Sequence, residues 1–234
     1  MPDPTGAMPA NAPISLHRSA LVRCLVGQGI GPTAEPGLTV AERLGQWLDW
    51  TDAQALFTEL QREPAGDSSA ARATTAPMAR VALEEFHRVR GDLTRAITTD
   101  PVFTDAPADA AAFRRHHLAH QQAMETRLGA LRAQVRAALT AAAPALARLA
   151  ALDALMAQAL AARERQLLAT VPALMAQRAA RTRLAGNDIP VVDKAKMRDA
   201  LLAELALRLQ PIEGLLEALG ERPAPPLAAQ AGQA

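Results

Sequence analysis

Three histidines stand close together in the segment RRHHLAH, at positions 116, 117 and 120. On a helix, His116 and His120 would lie on one face, at the spacing that lets two imidazoles share a metal ion. The segment lacks the glutamate of the HExxH zinc motif, and no third ligand is evident beside it. His117 and His120 also fall on an apolar stripe. Metal binding and simple packing between helices therefore both stay open, and packing is preferred.

Other motifs that could support chemistry are incomplete. Glu84 and His87 form one Glu-x-x-His pair, whereas a di-iron bundle needs two such pairs and two further glutamates. The glycines of GQGIGP follow a predicted helix instead of a strand, which indicates a helix terminator and not a dinucleotide loop. The single cysteine, Cys24, lies between two leucines and is expected to pack as a small hydrophobe. No GxSxG or GxxxxGK[ST] motif occurs. We therefore predict no catalytic residue, no metal, no cofactor and no enzymatic activity.

Charge is uneven along the chain. Residues 101–184 hold 11 basic and 5 acidic side chains, whereas both flanking regions are mildly acidic. This distribution lets the segments pair with one another or lets the middle attract an acidic partner, and internal pairing is preferred. The arginines are spread around the helices without interleaved aromatic residues, so nucleic-acid binding is only the alternative function. The candidate interaction residues are Arg114, Arg115, Arg132 and Arg136, together with Trp47 and Trp50.

Composition determines the elements that must position these residues. Half of the chain is hydrophobic, mostly Ala and Leu, and it contains no Tyr. Such a composition favours helices over strands. We predict an all-α fold, an elongated bundle of about six helices with long, proline-kinked antiparallel helices and disordered termini.

Capping and breaking residues predict where the helices lie. Ser15 would cap a first helix over 16–26, and Thr39 would cap a single second helix that carries both tryptophans to about Gln61 and buries more than half of its circumference. A third helix is expected over 78–97, ending at Asp100-Pro101, and another begins after Asp109. Pro144 should break that helix, and Pro172 and Pro211 should kink later ones. A kinked last helix is preferred over an extended coiled coil.

Two apolar stripes are expected to face the core. They comprise Phe113, His117, His120, Met124, Leu128, Leu131 and Val135, and then Leu146, Leu149, Leu152, Met156, Leu160, Arg163, Leu167, Val171 and Leu174. The predicted organisation is a disordered tail over 1–14, an N-terminal helical pair over 15–62, a linker over 63–77, a bundle body over 78–220 and a disordered tail over 221–234.

Location is predicted from what the sequence lacks. The N-terminal residues do not have the charge and apolar pattern of a signal peptide. Uncharged runs in the helical middle, such as residues 137–147, are too short to cross a bilayer. We expect a cytoplasmic protein without a membrane span.

Four segments resemble a bacterial family known as domain of unknown function 3348. They are AERLGQWLDWTDA from Ala41, FRRHHLAHQQAM from Phe113, LARLAALDALMAQALAARERQLLATVPAL from Leu146 and LLAELALRLQPIEGLLEAL from Leu201. The Trp-Leu-Asp-Trp-Thr-Asp block is the distinctive part. The resemblance carries over no catalytic residue, and it suggests a cytoplasmic accessory of an envelope-associated assembly. The expected function is a non-enzymatic scaffold or adaptor that binds a protein partner or a second copy of itself.

Overall fold

The structure is a computed structural model that describes residues 19–30, 40–62, 72–104, 110–184 and 194–220. These residues form helices and contain no strand, so the all-α prediction is confirmed. Both predicted tails lie outside the described residues. The helices are α1 (Ala20–Gly27), α2 (Val40–Trp47), α3 (Trp50–Gln61), α4 (Arg72–Thr98), α5 (Pro101–Thr104), α6 (Ala110–Ala142), α7 (Pro144–Leu168), α8 (Val171–Leu184) and α9 (Lys194–Ala218).

Helix α6 is the centre of the bundle. It packs against α4, α7, α8 and α9, and α4 and α9 also pack against each other. The stripe predicted on α6 is buried at every position except His120, which is half-buried. It meets the apolar residues of α4 around Phe86 and those of α9 around Leu205 in one core cluster. The 3.6-residue spacing therefore identified the core face of α6 correctly.

Helix α7 forms an outer layer, although it is as rich in leucine as the core helices. Its buried residues are Ala150 and Leu168, whereas Leu149 and Leu167 are 37% and 44% exposed. The prediction that the α7 stripe faces the core is correct for Val171, which belongs to α8 and is buried, and for Leu146, which packs half-buried against the core cluster. It is wrong for four exposed members, Leu149, Arg163, Leu167 and Leu174, and the remaining members are half-buried.

One helical stretch among the described residues, Pro144–Arg178, is apolar and long enough to cross a membrane by length and composition. Its most apolar 18-residue segment has a mean hydropathy of 1.4, and 6% of that segment is buried. Arg148 and Asp153 interrupt this stretch, so it contains no long uncharged run. A single such helix is weak evidence, so the absence of a membrane span stays a prediction.

The tryptophan segment is two helices and not one. Asp49 ends the first and caps the second, because its side chain accepts a hydrogen bond from the Asp52 amide at 2.7 Å. Both helices pack on α7, whereas α1 packs on α9. Helix α3 contains no buried residue, so the expectation that this segment buries more than half of its circumference is wrong. Thr39 lies outside the described residues.

The helix ends follow the glycines and prolines only in part. Helix α1 is capped by Ser19 and not by Ser15, and it ends at the glycine loop, where Gly29 has φ of 73°. Pro144 starts α7 as predicted, whereas Pro172 lies in the first turn of α8, after a break instead of a kink. Pro211 lies within the continuous 25-residue α9. Helix α4 begins at Arg72, so the end of the predicted linker is helical.

The different roles of the two leucine stripes can be measured by one pair of substitutions. Leu131→Ala in α6 should lower the free energy of unfolding by about 2 to 5 kcal/mol, because Leu131 is only 2% exposed and its truncation leaves a cavity in the core. Leu149→Ala in α7 makes the same chemical change at a 37% exposed position and should cost less than half as much. Urea unfolding followed by circular dichroism measures both. Equal losses would contradict the outer position of α7.

Candidate functional site

The outward face of α3 exposes large apolar side chains. Trp50, Phe57 and Leu60 are 82%, 61% and 55% exposed. Together with Ala53 they are spaced 3, 4 and 3 residues apart and therefore share one side of the helix. We call these four residues the α3 stripe. Large apolar side chains are normally buried, so a contiguous group of them on one exposed face is a candidate interaction surface.

The opposite side of α3 rests on α7. Its half-buried residues are Asp52, Ala55, Leu56 and Glu59, whereas the remaining eight residues of the helix are exposed. Arg148 of α7 donates hydrogen bonds to the backbone carbonyls of Glu59, at 3.2 Å, and of Leu60, and it thereby satisfies the last turn of α3. The stripe is thus held on a supported helix and not on a loose segment.

Trp47 has a different role from Trp50. It is half-buried at the end of α2, and the Arg163 guanidinium of α7 lies 5.6 Å from the centre of its ring. A cation over the face of an indole is an attractive contact. Trp47 therefore fastens α2 to α7, which leaves Trp50 as the tryptophan available to a partner.

The four candidate arginines do not form one surface with the tryptophans. Arg132 and Arg136 are half-buried between α6 and α7, and both donate to the carboxylate of Asp153 on α7. Arg114 and Arg115 are exposed near the other end of α6. The predicted residues are therefore spread over three places.

Asp153 joins α6 to α7. Its side chain is 13% exposed and binds Arg132 Nε at 2.8 Å through Oδ2 and Arg136 Nε at 2.7 Å. Burial raises the pKa of Asp153, but hydrogen bonds and charge from Arg132 and Arg136 outweigh it, so the pKa lies below its ordinary value. The carboxylate is consequently ionised at neutral pH and neutralises half of the arginine pair.

A cleft of about 210 Å³ opens between α6, α7 and α9 and is lined by several arginines. These arginines have carboxylate partners already: Arg132 and Arg136 bind Asp153, Arg165 binds Glu125, and Arg208 binds Glu164 and Glu204. Four guanidinium groups thus meet four carboxylates. The cleft offers no excess positive charge for a phosphate, which weakens the case for nucleic-acid contact at this face.

A buried polar cluster lies between α6 and α9. The Glu204 carboxylate is fully buried and accepts hydrogen bonds from Gln121 at 2.8 Å and Arg208 at 2.9 Å. Burial raises the pKa of Glu204, but His117, Gln121 and Arg208 together lower it below the ordinary value. Gln121 also donates to the Leu168 carbonyl at 3.0 Å, which attaches the end of α7.

His117 is buried in the same cluster without a hydrogen bond. Its Nε2 lies 3.7 Å from Glu204 Oε2, and neither ring nitrogen has a partner within hydrogen-bonding distance. A buried ring nitrogen without a hydrogen bond costs free energy, although the approach of His117 to the Glu204 carboxylate contributes to the lowered pKa of that carboxylate. The preferred sequence interpretation of packing between helices describes its position.

The other two histidines of RRHHLAH meet at one carboxylate. His116 Nδ1 and His120 Nε2 lie 3.0 and 2.7 Å from Asp100 Oδ2, while Asp100 Oδ1 accepts from the Val102 amide. Burial raises the pKa of Asp100, but the hydrogen bonds from His116, Val102 and His120 outweigh this effect, so the pKa lies below its ordinary value. Among the described residues, no group of three or more His, Cys, Asp and Glu could hold a metal ion. The cluster joins the corner at Pro101 to α6.

Three further residues that the sequence singled out lie away from any site. Glu84 and His87 are both exposed on α4, so they do not face the bundle interior as a di-iron ligand pair would. Cys24 is half-buried against the core cluster, and its burial raises the pKa of the thiol. A raised pKa makes the thiol a poorer nucleophile, as expected for a packing residue.

Sequence reasoning missed Phe57 and Leu60 as candidate residues, and it missed the roles of Asp153, Arg148 and Arg163. A signal for the first two was present. Asp49 followed by Asp52 resembles a helix start, and dividing the segment there leaves a 12-residue helix with two opposite apolar sides. A short surface helix buries only one side, so the other had to be exposed.

The Asp153 bridge predicts a pH dependence. A carboxyl group with a lowered folded-state pKa stabilises the protein above its ordinary pKa, and that stability is lost as pH falls through the lowered value. Asp153→Asn should therefore lower the free energy of unfolding by about 1.5 to 3 kcal/mol at pH 7, and the difference should shrink below about pH 4. Urea titrations between pH 7 and pH 3 measure it. Asp92→Asn, at a carboxylate that is 31% exposed, is the control and should cost less.

The buried cluster predicts opposite effects at two adjacent turns of α6. His117→Leu should leave the free energy of unfolding unchanged or raise it, because it removes two unpaired ring nitrogens. Gln121→Leu should lower it by about 2 to 3 kcal/mol, because Glu204 and the Leu168 carbonyl lose their shared donor. Chemical unfolding at pH 7 compares them. A loss above about 2 kcal/mol in His117→Leu would show that the imidazole is hydrogen-bonded after all.

Comparison with known proteins extends the description of the chain but assigns it no activity. No curated protein and no solved structure matches it. The family DUF3348, described as a protein of unknown function, matches residues 9–221, which include every described helix. The chain therefore belongs to the DUF3348 family, as the resemblance in its tryptophan block and long helices indicated.

Proposed function

We propose that this protein is a non-enzymatic helical scaffold or adaptor that binds a protein partner through the α3 stripe. The observation that carries the proposal is the exposure of Trp50, 82%, beside the exposed Phe57 and Leu60 on one helix face. Tryptophan is enriched among the residues that dominate binding energy at interfaces. A helix that lays three apolar anchors into a partner's groove is a common mode of recognition between proteins.

The charges favour a protein partner over nucleic acid. The outward residues of α3 carry no charge, whereas nucleic-acid affinity depends on cations that contact phosphates. Arg132 and Arg136, which were candidates for that role, are engaged by Asp153. Arg114 and Arg115 remain exposed, but two adjacent arginines do not make a phosphate-tracking groove. Nucleic-acid binding stays the alternative prediction.

A second apolar surface supports an adaptor role. A groove of about 530 Å³ lies between α4 and α6 and is lined mainly by Pro77, Met78, Val81, Ala82 and Ala138. Val81 is 65% exposed within it. The groove belongs to the core helices, whereas the α3 stripe belongs to the outer layer, so the two surfaces can be occupied independently.

The polar clusters support a structural role over a catalytic one. Asp100 joins two histidines to a helix corner, and Glu204 joins α6 to α9. Each carboxylate is bound by side chains of the same chain, as in a structural contact between helices. We propose that the protein is a cytoplasmic accessory of an envelope-associated assembly, in line with the family resemblance.

Site-specific cross-linking in the native cells tests the proposal. A photoreactive phenylalanine analogue at position 57 should give a discrete cross-linked protein species, and Trp50→Ser in the same chain should reduce its yield roughly 10-fold or more, because Trp50 is an anchor. The matched control places the analogue at Leu118, which is 40% exposed on α6. No cross-link from position 57, or equal cross-links from both positions, would contradict the proposal.

A further inference from the structure

We infer that the α3 stripe binds the α3 stripe of a second copy, so that two chains associate through an antiparallel pair of α3 helices with two-fold symmetry. The inference rests on the proposed function and names its partner. A two-fold contact joins the same patch on both copies, and it is the commonest symmetry of soluble oligomers. Such a patch must be complementary to itself in charge and in shape.

The charge on α3 meets the first requirement. Its eight exposed residues are apolar or neutral: Trp50, Thr51, Ala53, Gln54, Phe57, Thr58, Leu60 and Gln61. The two acidic residues within the helix, Asp52 and Glu59, lie on the half-buried side toward α7. A face with net charge would repel its own copy, whereas this face brings no like charges together. The neutral amides and hydroxyls at its edge can exchange hydrogen bonds across the symmetry axis.

The spacing of large and small residues meets the second requirement. The stripe reads Trp, Ala, Phe, Leu at positions 50, 53, 57 and 60, and its midpoint is near residue 55. An antiparallel pair centred there brings Phe57 of each copy opposite Ala53 of the other, and Trp50 opposite Leu60. A large ring thus faces a small side chain, which is how helix surfaces interdigitate.

The exposed area sets the strength of the contact. Aromatic side chains bury roughly 150 to 250 Å² each, so Trp50 and Phe57 offer roughly 300 Å² per copy at their present exposure. With Leu60 and the neutral edge, a pair of copies reaches the low end of specific interfaces, below about 1,200 Å² in total. We therefore expect reversible association in the micromolar range.

Sedimentation of the full chain between about 1 and 100 μM tests the pairing over that range. The wild type should shift from the 24.7 kDa chain toward twice that mass. Phe57→Asp should weaken association at least 100-fold, because it buries a carboxylate against its own copy. Leu118→Asp makes the same kind of change at a 40% exposed position on α6, outside both apolar surfaces, and should leave association unchanged. A monomeric wild type, or equal effects of the two variants, would overturn the inference.

Cross-linking tests the antiparallel geometry without an apolar substitution. In a Cys24→Ser background, Gln54→Cys lies at the edge of the contact beside the predicted symmetry axis, and a bismaleimide linker that spans about 10 Å should join it to the same residue of the second copy. Gln210→Cys, an exposed position on α9, is the matched control and should stay monomeric. Absence of a Gln54→Cys dimer under conditions where the wild type associates would overturn this geometry.

Tryptophan fluorescence then separates the inference from the proposed function. With Trp47→Phe, emission reports Trp50 alone and should shift to shorter wavelength as concentration rises. Short-wavelength emission from a chain that stays monomeric would mean that another segment of the same chain covers the stripe, and it would overturn the inference. Long-wavelength emission from a chain that stays monomeric would also overturn it, but the proposed binding of a different protein would stand.

Discussion

The carboxylate of Asp153, held between Arg132 and Arg136, joins the core helix α6 to the outer helix α7, on which α2 and α3 rest. Helix α7 buries Ala150 and Leu168, so this bridge adds to a small apolar contact and to the hydrogen bond from Gln121 to the Leu168 carbonyl. Helices α2 and α3 in turn rest on α7 through Arg163 and Arg148. The exposed aromatic stripe therefore depends on two successive attachments, of α7 to the core and of α3 to α7.

The helical class and the core face of α6 could be read from the sequence because both are local properties. Alanine and leucine favour helices, and the stripe from Phe113 to Val135 repeats at the helical period. The α7 stripe repeats equally well, yet most of it does not face the core. Periodicity identifies an apolar side of a helix but not the neighbour that this side meets.

The candidate site was predictable only in part for a related reason. Trp50 was identified by its type, whereas Phe57 and Leu60 were not named as candidates because α2 and α3 were taken as one helix that buries more than half of its circumference. The cap at Asp49 starts a second helix instead, and this helix contains no buried residue. The ion pairs of Asp153 and Glu204 join residues far apart in the chain, and no spacing rule within one helix reveals them.

The buried Glu204 has a consequence for how the helices are aligned. Helices built from Ala and Leu present nearly the same surface at every turn, so α9 could slide along α6 by one turn, about 5.4 Å, at little cost in apolar contact. After such a slide the Glu204 carboxylate would lose Gln121 while still inside the core. One buried charge therefore gives a repetitive sequence a single register, and it does so where hydrophobic packing alone would accept several.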